Sequence, residues 1–318
     1  MVDSVSNLGA AKEASSMARA WPVAILTVLS VIWGMAFVAV KYSVTFLSPV
    51  NLTLLRWFMA SGALLILAPF FGKGKGKFQL KDLPRLALVS FASVVTYHLA
   101  LNFSESSISA GLAVLITSLG PVFILLLSRL FLAERHGRNI LLAMPVAFAG
   151  ITILSVGSDI NSGGSSLYGI IEAIGAALSY SVFAVFSKPL VMKYGAIPVT
   201  IWVGLLGTLM LIPLVSGSFV SQVSVLPADG WISVLYLSLA STVLGYMIFY
   251  TLVNRGAVSR LAVQLYLIPL VGVIGGVVLL GESISMFTIA GGAAVLLAVA
   301  IATGNLSNKM RGRKAVQL

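Results

Sequence analysis

The stretch "LAERHGRN" (residues 132–139) follows an apolar run and gathers Glu134, Arg135, His136 and Arg138. In a soluble protein, a glutamate two residues from a histidine would suggest a general acid-base pair or half of a metal site. A second stretch, "LGESISMF" (residues 280–287), occupies the same place after another proline-bearing apolar run. Pro121 and Pro269 are 148 positions apart, and so are Glu134 and Glu282. Upstream, "VVTYHLAL" from Val94 matches "VLGYMIFY" from Val243, which sets Tyr97 and Tyr246 149 apart, and "LAV" recurs at Leu112 and Leu261. Trp33 falls opposite Tyr180 and Lys41 opposite Lys188, both pairs 147 apart. One duplication therefore covers the chain. A glutamate kept in both copies reads as a capping or packing residue, and His136, absent from the second copy, as a loop residue.

The 318 residues are 59% hydrophobic and 9% charged, with mean hydropathy +1.05, whereas a soluble domain has roughly 25% charged residues. The chain is a polytopic membrane protein. The absence of cysteine removes disulfides, thiolate metal sites and cysteine nucleophiles together. The net charge of +11 does not indicate nucleic acid, because the basic residues punctuate apolar segments instead of gathering on one solvated face. The run "GKGKGK" (residues 72–77) lacks the spacing of a phosphate loop. No nucleotide, cofactor or metal is expected.

Crossing about 30 Å of hydrocarbon takes about 20 residues of helix. Ten apolar runs qualify, at approximately 21–40, 51–71, 86–103, 109–132, 140–156, 168–187, 199–215, 231–252, 258–280 and 286–303. The predicted fold is all-α: a cytoplasmic tail (1–20), a first five-helix repeat (21–157), an outer linker (158–167), a second repeat (168–304) and a basic tail (305–318). Lys73, Lys75, Lys77, Lys81, Arg85, Arg129, Arg135, Arg138, Lys188, Lys193, Arg255 and Arg260 all fall on one face with both tails, while Glu105, Asp159, Asp229 and Glu282 fall on the other. Basic residues mark the cytoplasmic side, so both termini are expected there. Five spans per repeat is an odd number, which inverts the second copy and places a site near the midplane where the halves meet.

Polar and aromatic residues deep in the spans are the candidates for that site. Thr117 and Ser118 precede Pro121, and Gln264 and Tyr266 precede Pro269. Both pairs lie about 13 Å into their spans, beside prolines that kink their helices. The hydroxyls of Thr117 and Ser118 could equally bond back to their own helix. His98 lies roughly 18 Å from the start of span three, next to Tyr97, where it could meet substrate, carry a proton or simply bond to a neighbouring helix. Successive residues do not share a helix face, so Tyr97 and His98 cannot both point fully into one narrow lumen. Trp33 and Tyr180 occupy equivalent depths, and Tyr246 and Tyr250 share a face; these rings could stack on a solute or on one another. Trp21, Trp57, Trp202 and Trp231 read as interfacial belt. Lys41 and Arg56 read as outer-face residues that snorkel, with substrate-carboxylate binding as the alternative. The glycines at 272–276 and at Gly291 predict close helix approach.

"WGMAFVAVK" from Trp33, the "GP" at Gly120, "LAER" from Leu132 and "LLGES" after Pro269 resemble the drug/metabolite transporter superfamily, specifically its ten-helix EamA-type branch. Within it the chain is most similar to bacterial aromatic amino acid exporters of the YddG-like group. The resemblance implies export through a central cavity in the bacterial inner membrane. The expected function is a secondary exporter of small amphipathic solutes, amino acids including aromatic ones, acting within the lipid bilayer as a monomer and without nucleic acid. Export of other metabolites or drugs, and a passive channel or uniporter, stay open as alternatives. An intramembrane enzyme would need clustered His, Asp or Glu inside the spans, and they are too few.

Overall fold

The computed structural model describes the backbone of residues 24–71, 77–131, 139–162, 165–254 and 261–314. Side chains are described for these except 71, 139–141, 157–162, 165–166, 252–254, 261–266 and 302–314. Glu134 and His136 lie outside the described residues, and Gln264 and Tyr266 are described in backbone only.

All secondary structure among the described residues is helical. In chain order the main helices are α1 (Ala24–Ser43), α2 (Pro49–Phe71), α3 (Leu80–Ser107), α4 (Ala110–Phe131), α5 (Asn139–Ser162), α6 (Ser165–Tyr194), α7 (Ala196–Leu211), α8 (Ala228–Thr251), α9 (Leu261–Leu280) and α10 (Met286–Lys314). Seven of them, α1 to α4 and α6 to α8, are long and apolar enough to cross a membrane. The others contain shorter apolar helices, Leu142–Val156, Leu267–Leu280 and Met286–Ile301. A surface helix, Gly217–Ser224, covers the start of α2, where Gln222 Oε1 accepts from Ser48 N and Asn51 Nδ2, each at 2.9 Å.

Large apolar side chains face outward on many helices, among them Ile66, Phe70, Leu130, Val278 and Met286. That suits a lipid solvent, in which helices close their own backbone bonds and need not hide apolar surface. Without a hydrophobic drive between helices, close packing must hold them. Where α5 crosses α10, a Cβ added to Gly150 would sit 3.0 Å from Gly291 O, and one on Gly291 would sit 2.8 Å from Gly150 O. The two backbones can touch only because both residues are glycine. Gly272 of α9 meets Val114 of α4 in the same way, a Cβ there falling 2.9 Å from Val114 Cγ1.

Helix α3 runs further at both ends than the 86–103 expected from hydropathy. Ser104 and Glu105 lie beyond the expected end of the span, yet they and Asn102 just before it are fully buried in the final turns of the helix. Two π-helical segments were not expected: Phe91–Thr96 in α3 and Tyr236–Leu244 in α8. They occupy equivalent places in the two repeats, immediately before or around the polar residues of the interior. A π turn releases carbonyls from the α ladder, and nearby side chains take them up. Thr242 Oγ1 donates to Leu237 O at 2.8 Å, and His98 Nδ1 lies 2.7 Å from Ser93 O, each five residues back.

Candidate functional site

A cavity of about 100 Å³ lies among α1, α2, α3 and α4 from the first repeat and α6, α8 and α9 from the second. Trp33, Tyr97, His98, Thr117, Ser118, Pro121, Tyr180, Tyr246 and Pro269 all border it. Tyr250 instead lines an adjoining void of about 10 Å³ with Trp57 and Phe183.

The aromatic wall is continuous. Tyr97 lies 6.0 Å from Tyr180, Tyr180 6.0 Å from Phe183, Phe183 5.8 Å from Tyr246, and Tyr246 6.1 Å edge-on from Trp33. Such offset and edge contacts are favoured by the ring quadrupoles, and they join rings from both repeats. Trp33 Nε1 donates to Ser241 O at 3.0 Å, a carbonyl in the π segment of α8.

Helix α4 breaks at the cavity: Ala110–Thr117 ends, a turn follows, and the helix restarts at Gly120. Pro121 has no N–H to give the Thr117 carbonyl, and Gly120 lets Tyr180 approach, a Cβ there falling 3.3 Å from its ring. In α9 the residue before Pro269 is Ile268, and that helix is continuous through the proline. The two prolines thus differ in that α4 is interrupted beside Pro121 while α9 is unbroken at Pro269. The hydroxyls of Thr117 and Ser118 bond backward, to Ala113 O at 2.9 Å and Val114 O at 2.6 Å, so they meet the cavity with their acceptor lone pairs.

Tyr97 and His98 divide the work as helical geometry demands. Tyr97 is partly exposed to the cavity, whereas His98 is fully buried with its ring edge-on to Trp57 at 5.1 Å and its Nε2 without a partner.

Three expectations need correction. Arg56 does not snorkel: it is 4% exposed and borders the cavity, with Nε donating to Thr242 Oγ1 at 2.9 Å and Nη2 to Ser241 Oγ at 3.2 Å. Among the described residues no acidic side chain forms an ion pair with it. Seven residues into α2, roughly 10 Å at the helical rise, it is too deep to escape outward past its neighbours. That depth was the available signal. Trp57 is no interfacial belt residue either; it is 1% exposed and stacks toward Tyr246 at 6.4 Å. Finally, Lys41 holds backbone rather than reaching water, its Nζ donating to Glu105 O at 2.7 Å and Ile108 O at 2.8 Å.

Lys41 sits in a tight cluster where α3 turns into α4. After α9, Gly281 adopts a left-handed backbone, φ +66°, which glycine tolerates and which swings Glu282 back onto the start of α4. Its carboxylate accepts from Ala110 N at 2.6 Å and Gly111 N at 3.0 Å. These amides open a helix and lack internal acceptors, so the capping role expected from the repeat is seen for Glu282. Glu105, expected in a connecting loop, lies inside this cluster with neither carboxylate oxygen hydrogen-bonded.

The profile of the EamA-like transporter family matches residues 20–156 and 167–304. An uncharacterized transporter of Archaeoglobus fulgidus is 34% identical over 283 residues, 89% of this chain and 98% of its own length. A "probable terminal-alkyne amino-acid exporter" of Streptantibioticus cattleyicolor is 30% identical, over 85% of this chain and 88% of its own. A "probable amino-acid metabolite efflux pump" of Escherichia coli is 28% identical, over 91% and 95%. One crystal structure shares the fold with TM-score 0.58 at 16% identity, covering 88% of this chain and 96% of that one. A multi-pass helical membrane protein carrying this duplicated pattern along nearly its full length, the chain belongs to the EamA-like transporter family.

Proposed function

We propose that the protein is a secondary exporter of amino acids, aromatic ones included, working by alternating access. In this reading α1 to α10 are ten spans, the repeats are inverted about an axis in the membrane plane, both termini are cytoplasmic and the substrate sits in the cavity where the repeats meet. The observation that carries it is Arg56: a buried guanidinium that, among the described residues, forms no ion pair with an acidic side chain, in a cavity walled by aromatic rings. Two of its five N–H groups are used on α8 hydroxyls; the others suit the planar fork of a carboxylate. The Trp33, Tyr97, Tyr180 and Tyr246 faces suit an ammonium group or an aromatic side chain. Among the relatives, two carry names that specify amino-acid export. A monomer contains the whole cavity and needs no second copy to complete it.

The test is counterflow in proteoliposomes of the purified protein. Labelled phenylalanine outside should enter several-fold faster when unlabelled phenylalanine is trapped inside, because a carrier returns faster when loaded. Equal entry with and without internal substrate would indicate a channel, and no entry would send the substrate search to other metabolites and drugs.

A further inference from the structure

We infer that Glu105 is a proton-binding site that couples export to the proton gradient; this rests on the transport reading above. The carboxyl is fully buried in the last turns of α3, and neither oxygen has a hydrogen-bond partner. A buried carboxylate without donors is among the costliest arrangements a protein can hold, and binding a proton relieves it. The adjacent Lys41 ammonium attracts the carboxylate, but its hydrogen bonds go to the backbone carbonyls of Glu105 and Ile108, and among the described residues it forms no ion pair with the carboxyl. That same ammonium also disfavours a metal cation there.

The charged groups around Glu105 come from separate elements: Lys41 of α1, Arg56 of α2 and Glu282 after α9. Glu282 is committed to the α4 amides. From α6, Gly169 approaches Ser104 O, and the one acid on that helix, Glu172, is partly exposed. Toward the cavity, Asn102 and His98 precede Glu105 by three and seven residues, on one face of α3. Each has an unpartnered atom, Asn102 Oδ1 and His98 Nε2. Of these residues His98 borders the substrate cavity, so the face of α3 that carries the carboxyl also reaches that cavity.

The duplication argues that this is not a structural device. Lys41 has its counterpart in Lys188 and Glu282 in Glu134, but at the 149-residue offset of this block Glu105 faces Asn254. The lysine and the capping glutamate recur in both halves, while the titratable group occurs in one. An antiporter needs a proton site that it loads from one side and empties to the other. In the outward-facing state the carboxylate takes a proton from the outer water; on return, the proton leaves to the cytoplasm as substrate enters.

The experiment uses proteoliposomes of the full chain with labelled phenylalanine and a trapped pH dye, comparing the wild type with Glu105→Gln and Glu105→Asn. For one-proton exchange, with the membrane potential held at zero by potassium and valinomycin, a gradient of about one pH unit should accumulate phenylalanine about tenfold on the acid side, with matching proton flux. Both variants should keep counterflow but lose the accumulation and the flux. Accumulation undiminished in either variant, or none in a wild type that shows counterflow, overturns the proposal. An infrared spectrum gives a readout that needs no substrate: a protonated-carboxyl band at neutral pH, lost in Glu105→Gln, sustains the proton site even where counterflow of phenylalanine fails. Absence of that band in the wild type overturns it.

Discussion

Arg56→Met loses phenylalanine binding, by a factor of about thirty to several thousand in Kd. Truncating one partner of a buried, hydrogen-bonded charge pair costs about 2–5 kcal/mol, and each 1.4 kcal/mol is about tenfold. Methionine keeps much of the volume while removing the charge. Of the partners on α8, Thr242 Oγ1 still donates to Leu237 O, and Ser241 borders the cavity. Removing a buried charge that has no counter-ion should leave the melting temperature unchanged or raise it, which separates lost binding from misfolding. Arg56→Lys keeps the charge but not the planar fork and should recover only part of the affinity. Phenethylamine, a cation with no carboxylate, should bind Arg56→Met at least as tightly as wild type, since the variant removes a like charge from the cavity. These affinities can be read by calorimetry on detergent-purified protein. Wild-type affinity for phenylalanine in Arg56→Met would show that the guanidinium serves packing between α2 and α8.

Glu282→Ala has the largest expected effect on stability. Its carboxylate caps Ala110 and Gly111 at the start of α4, where the helix dipole also favours negative charge. Losing a cap costs about 0.5–2 kcal/mol, and a stranded buried donor about 1–3 kcal/mol. The melting temperature in detergent should fall by several degrees, at about 2–4 °C per kcal/mol for a chain of this order. Glu282→Gln, which keeps one acceptor and drops the charge, should fall between. Ser109 Oγ, which accepts from Leu112 N at 3.1 Å, limits the loss to the first two amides. Surviving protein should transport the same substrates at an altered rate. An unchanged melting temperature would mean that water replaces the cap at no cost.

The parts of this architecture carried by one-dimensional pattern were legible in advance. Run length against bilayer thickness locates the helices, and the Pro121-to-Glu134 interval, repeated at Pro269 and Glu282, exposes the duplication. Helical rise places Trp33, Tyr97, Tyr180 and Tyr246 at one depth, which is why they border one cavity. What escaped depends on contacts between helices. Hydropathy sends every charge to the interface, so Arg56 read as an anchor although hydroxyls of α8 satisfy it inside. Glu105 read as loop because nothing local shows that the end of α3 is covered by α1, α2 and α6. The π turns at Phe91–Thr96 and Tyr236–Leu244 were invisible to a 3.6-residue period, since one inserted residue shifts the following face without changing composition.

The measurement closest to the centre of this account exploits the chain's lack of cysteine. Ser118→Cys places a single thiol on the cavity wall without touching the Arg56 contacts. A membrane-impermeant maleimide would be applied to right-side-out and inside-out vesicles, each with and without phenylalanine. Alternating access predicts labelling from both sides, with phenylalanine shifting the ratio between them and slowing the total. Labelling confined to one side under every condition, or labelling on both sides that ignores phenylalanine, would contradict it.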